Sequence, residues 1–187
     1  MKQCLSRVVV ASFCLFASVA RADAPASPPA EQAPTARDRL AGSYVHAGGE
    51  KEIAARDAAI DKATESMFFA IKGIARSKLR EKTPVSASVG ITFRNGNVVV
   101  SAAGAPPAGS PENGSSVPYK NPDGQMSKLS QKLTADGKLV QIFAGENGTR
   151  TNTFSLSSDG KSLTMRVIIE SGKLPQAVQY ALTYRRS

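Results

Sequence analysis

The chain has no tryptophan, one histidine and only two cysteines in its 187 residues. Each shortage removes a class of chemistry. Cys4 and Cys14 both fall within the first 22 residues, so the rest of the chain holds no thiol. That excludes a disulfide framework, a thiol nucleophile and a Cys-ligated metal there. His46 alone cannot build an ordinary zinc site without three carboxylate or water ligands. No serine sits in a nucleophile-elbow pattern that would use it as a base. Phosphate-cradling and dinucleotide-binding glycine motifs are missing as well. The sequence therefore predicts no metal, no cofactor and no enzyme.

Membrane-spanning apolar runs are missing too. Residues 8–20 form an apolar run of 13, too short to cross a bilayer as a helix. Lys2 and Arg7 precede it and Ala20-Arg21-Ala22 follows it, the pattern of a secretory signal peptide over 1–22 with cleavage before Asp23. The expected location is periplasmic or secreted. Residues 23–36 hold four prolines and five alanines and are expected to be a disordered tether. One domain remains, 37–187, with 21 basic and 13 acidic side chains and a net charge of +8. That balance favours an anionic partner such as an envelope surface or lipid headgroups. Nucleic acid is not expected, because the basic run lacks an aromatic stacking platform.

What is present is punctuation. Asn95-Gly96, Asp123-Gly124, Asp136-Gly137, Asn147-Gly148, Asp159-Gly160 and Ser171-Gly172 each separate two apolar-rich segments. Such dipeptides supply the backbone angles of tight hairpins. Strands are predicted at 40–46, 85–93, 97–103, 125–133, 138–144, 149–156, 161–171 and 176–185. Between the first two, residues 50–82 lack proline and are rich in helix formers. Ile53, Ile60, Met67 and Ile74 recur every seven residues, with Ala63 and Ile71 on the same stripe, which predicts a buried helix face. Gly73 is expected to divide the segment into helices near 50–72 and 74–82. Residues 104–118, rich in Gly, Pro and Ser, are expected to be a long loop. The fold expected is mainly β: an eight-stranded antiparallel up-and-down barrel with a helical pair inserted between strands one and two.

Gly42-Ser43-Tyr44 on the first strand resembles the Gly-x-Trp signature of lipocalins, with Tyr in place of Trp. Arg185 or Arg186 on the last strand is similar to the arginine that lipocalins pack against that ring. The inserted helical pair resembles the lid of fatty-acid-binding proteins. On these residues the chain resembles the calycin superfamily, and the resemblance implies a barrel that holds one small ligand.

The residues themselves suggest where such a ligand would touch. Arg150 shares a strand face with Asn152 and Phe154, and Gln141 shares one with Leu139 and Phe143. An inward arginine would mark a carboxylate or phosphate site. Candidate wall and anchor residues are Tyr44, Phe68, Ile71, Arg150, Phe154, Tyr180 and Tyr184. The function expected is non-enzymatic binding of a small hydrophobic or amphiphilic ligand, such as an anionic lipid. The alternative is a filled barrel that presents its basic helix, with Lys72, Arg76 and Arg80 on one face, to an anionic envelope surface. Inward packing of the apolar face of the second strand would favour the filled barrel.

Overall fold

The computed structural model describes residues 34–187. The expected signal peptide and most of the expected tether lie outside the described residues. Order begins at a capping box: Thr35 and Asp38 exchange backbone N–H bonds, at 3.0 and 3.3 Å, and start a short helix, α1 (Ala36–Leu40). The first strand, β1 (Gly42–His46), leads into α2 (Gly49–Ala63) and α3 (Phe69–Lys82). Nine strands follow: β2 (Ser88–Arg94), β3 (Asn97–Ala102), β4 (Ala108–Pro111), β5 (Asn113–Lys120), β6 (Met126–Leu133), β7 (Leu139–Gly145), β8 (Gly148–Leu156), β9 (Ser162–Glu170) and β10 (Val178–Arg186).

All ten strands form one antiparallel sheet in the order β4-β3-β2-β1-β10-β9-β8-β7-β6-β5. Its two edges, β4 and β5, are consecutive in the chain and meet, so the sheet rolls into a nearly closed barrel. Ten strands replace the eight expected because 104–118 is not a loop. It supplies β4 and most of β5, whose Pro111 and Pro118 are tolerated where edge strands lack a full ladder. The β2–β3 turn behaves as its dipeptide requires: Asn95 and Gly96 both take positive φ, 51° and 73°.

One end of the barrel is packed solid. Leu40, Tyr44, Ile91, Val98, Leu139, Phe154 and Leu163 are buried there around α1. The apolar face of β2, with Val89 and Ile91, does point inward. Arg186 closes this end. Its guanidinium lies 5.0 Å over the Tyr44 ring and donates to the Tyr44 hydroxyl at 2.8 Å and the Ala41 carbonyl at 2.9 Å. Tyr44 donates in turn to the Leu40 carbonyl at 2.8 Å. Gly42 makes room, since a Cβ there would stand 2.7 Å from the Arg186 guanidinium.

The helices depart from expectation in two ways. The break falls at 64–68, where Thr64 Oγ1 donates to the carbonyls of Ile60 and Asp61 and a tight turn follows, while Gly73 lies inside α3. The seven-residue stripe is therefore divided between two helices. Ile60 and Ala63 are buried on α2, whereas Ile71 and Ile74 are exposed on α3. The cationic side of α3 faces α2 instead: Arg76 pairs with Asp61, and Arg80 with Asp57 and Asp61, at 2.8–3.3 Å. Leu79 is the large apolar residue of α3 that packs against the core.

Candidate ligand-binding site

Antiparallel register lines side chains into rows across the barrel interior. One row runs Gln131, Gln141, Asn152, Val167, Tyr180 over β6 to β10. The next row toward the helices runs Leu129, Phe143, Arg150, Ile169, Val178. The polar members of these rows connect. Arg150 Nε donates to Asn152 Oδ1 at 3.0 Å, Asn152 Nδ2 to Gln141 Oε1 at 2.9 Å, and Gln141 Nε2 to Gln131 Oε1 at 3.1 Å. Gln131, Gln141 and Asn152 are buried, and Arg150 is half-buried. Arg150 forms no ion pair among the described residues, and Nε is its one side-chain donor with a protein partner there.

Two hydroxyls face the same region. Those of Tyr180 and Tyr184 are buried and have no hydrogen-bond partner among the described residues. Burial raises the phenol of Tyr180, with the charges of Arg150 and Arg56 and the nearby Thr83 side chain opposing. Tyr184 is pushed up to about 12, by burial first and then by the neighbouring Tyr180, against the opposing charge of Arg150. Both phenols therefore stay protonated near neutral pH and can donate. The second arginine nearby, Arg56 on α2, is already occupied: it pairs with Asp57 at 2.8 Å and donates to the Thr83 carbonyl at 3.0 Å.

A clasp fixes α2 to the barrel. β10 outruns β1 beyond His46, leaving the Thr183 amide without a strand partner. Glu52 Oε2 accepts that N–H at 2.7 Å and lies 3.1 Å from His46 Nε2. Burial pushes the Glu52 carboxyl up, but the Thr183 N–H and His46 outweigh it and hold the group below its ordinary value. His46 itself packs edge-on against Tyr184, ring centroids 5.5 Å apart.

The residues expected to bind separate into three places. Arg150 and Tyr180 lie in adjacent interior rows, while Phe154 and Tyr184 are buried one and two rows farther toward the closed end. Tyr44 is at the closed end with its hydroxyl engaged by Arg186 and Leu40. Phe68 and Ile71 stand on the outer side of the helical cap, Phe68 66% exposed. Gln131 and Glu52 were not expected; only the parity of Gln131 with Leu129 and Leu133 hinted at its inward position. Two shallow clefts of about 370 and 330 Å³ flank Arg186 at the closed end and do not reach Arg150.

Among solved structures, the chain is similar to an abundant heat soluble (SAHS) protein from Ramazzottius varieornatus, with TM-score 0.53 and 10% identity over 80% of this chain and 96% of that one. The fold is a calycin-type barrel. Similar structures include a Schistosoma mansoni fatty acid binding protein in complex with arachidonic acid, with TM-score 0.49 and 14% identity over 82% of this chain and 99% of that one. Another is lipid binding protein 8 of Caenorhabditis elegans, with TM-score 0.48 and 10% identity over 80% and 96%. At such identities the likeness is one of fold. No protein-family model matches this calycin-type barrel by sequence, and no curated protein does.

Proposed function

We propose that the protein is a non-enzymatic, secreted or periplasmic carrier that takes a small amphiphile with an anionic headgroup into the helical end of its barrel. The observation that carries this reading is Arg150. Bonded through Nε to the buried Asn152, it has no carboxylate partner among the described residues, and its charge acts on two buried hydroxyls that lack partners there. Buried charges and donors without partners are costly. One anionic group would satisfy the two terminal nitrogens of Arg150, with the Tyr180 hydroxyl one row away as a further donor, and hydrogen bonds to ionised groups are the stronger kind. Phe143, Ile169 and Val178, in the same row as Arg150, would take the apolar chain. The solid packing of the closed end confines the ligand to the half beneath α2 and α3. Secretion rests on residues 1–22 alone.

The test is calorimetry with dodecanoate and with dodecanol. The carboxylate is expected to bind more tightly. Arg150→Met should weaken dodecanoate about tenfold or more and leave dodecanol nearly unchanged, the loss of one charge-assisted contact. A protein that binds neither probe overturns the reading.

A second reading has its own observation. Phe68 and Phe69 are 66% and 79% exposed, with ring centroids 4.7 Å apart and planes tilted by 54°, and Ile71 and Ile74 beside them are exposed too. Lys62, Lys72 and Lys78 lie around them and form no ion pair among the described residues. This tip would dock on an anionic lipid surface. Of the expected cations Lys72 remains free among the described residues, while Arg76 and Arg80 are engaged with α2. Sedimentation with phosphatidylglycerol vesicles, but not phosphatidylcholine vesicles, should carry the protein down, and a Phe68→Ser, Phe69→Ser variant should stay in solution. Equal behaviour of the variant and the parent excludes the tip.

A further inference from the structure

Three buried amide side chains in a row are unusual company for a β-barrel core. The neighbouring row toward the closed end, Leu133, Leu139, Phe154, Met165, Leu182, shows what the same strands hold when packing alone is at stake. Burying amides is unfavourable unless every donor and acceptor is matched, so such a row persists where its order has a use.

Here the order has one direction. Arginine has donors only, so Arg150 Nε obliges Asn152 to turn its oxygen toward it. The Asn152 amide nitrogen must then face Gln141, whose oxygen accepts it, and the Gln141 nitrogen must face Gln131. The chain ends on acceptors alone: Gln131 Nε2 lies 3.0 Å from the Val98 carbonyl, 3.2 Å from the Ala108 carbonyl and 3.1 Å from Ser110 Oγ. Flipping any amide would set donor against donor. Each side-chain dipole therefore presents its negative end toward the guanidinium, and hydrogen-bond chains of this kind polarise cumulatively.

The far end of the chain lies at the seam. β6 makes no ladder with β3 or β4, and Gln131 bridges from β6 to backbone carbonyls on both. We infer that Gln131, Gln141 and Asn152 are positioning residues that hold the two terminal nitrogens of Arg150 toward the interior, and that they couple occupation of Arg150 to the β4–β6 seam. The inference rests on the carrier reading above, deepening it from an anchor to the apparatus that aims the anchor.

Gln141 separates this inference from the carrier reading, since it makes no hydrogen bond to Arg150 and lies one row away from Phe143, Ile169 and Val178. In Gln141→Met, a near-isosteric break in the chain, the preference for dodecanoate over dodecanol should fall about fivefold or more, as expected for coupled groups in one network. A purely structural amide would lower stability and leave that preference unchanged. Should Gln141→Met not fold, the parent protein supplies the second measurement by NMR. The side-chain amide resonances of Gln131 and Gln141 should shift on adding dodecanoate and stay fixed on adding dodecanol. A preference retained in Gln141→Met, or amide resonances that stay still while Arg150 Nε shifts, overturns the positioning role and leaves the carrier reading standing. If the parent binds neither probe, both fall together.

Discussion

Side chains whose polar atoms end in the wrong place, or in no place, carry most of the functional information in this molecule. Arg150, Tyr180 and Tyr184 are the clearest, and their inward direction was partly visible beforehand. Arg150 has the parity of Phe154 along one strand, and a strand has only two faces. Glu52 is the opposite case, a carboxylate that joins nearby His46 to Thr183, which is distant in sequence. Folding holds its carboxyl below its ordinary value of 4.5. Its contribution to stability is therefore complete above that value and is lost as the pH falls through the lower folded value. Between about pH 5 and pH 3 the parent should lose urea resistance more steeply than Glu52→Gln, which carries no ionisable group there. Identical slopes would mean that the clasp works without its charge.

Among the elements, the strands closed by Asn-Gly and Asp-Gly turns were legible because the turn chemistry is local. β4 and β5 were not. Their Gly, Pro and Ser composition speaks for a loop, and they become strands only because β3 and β6 offer paired edges. α3 misled for a related reason. Its Ile71 and Ile74 predict a buried face, but Asp57 and Asp61 on α2 draw its arginines inward and turn those apolar residues out. Two exposed or half-exposed carboxylates thus orient a whole helix, though each such pair contributes only up to about 1 kcal/mol. Asp61→Asn removes pairs to both Arg76 and Arg80. Amide exchange in α3 should then rise about fivefold while β8 to β10 stay protected, a difference that hydrogen-exchange mass spectrometry resolves segment by segment. Unchanged exchange in α3 would show that Leu79 alone holds the helix.

The described residues form a barrel with one end packed with apolar side chains and another in which buried polar groups, some without partners, lie among apolar ones. Composition and turn spacing were enough to anticipate a closed antiparallel sheet. They could not show which polar residues face one another, because that depends on register between strands, where a shift of one residue would turn Gln131, Gln141 and Asn152 outward. A ligand that completes the unsatisfied end should stabilise the fold as a unit. At a hundredfold excess over its dissociation constant, dodecanoate should add about 2.7 kcal/mol, raising the melting temperature by about 5–10 °C. Differential scanning fluorimetry measures this directly, and no shift at that excess would mean the acid also binds the unfolded chain. The outward-turned α3 bears on how such a cargo leaves. A lid that seals with oil must expose oil to open, and hydrophobic burial grows stronger in brine. α3 is held by ions and by one large apolar residue, Leu79, so swinging it out would uncover little new apolar surface and salt would loosen it. The same barrel would grip its cargo in fresh water and give it up as salinity rises.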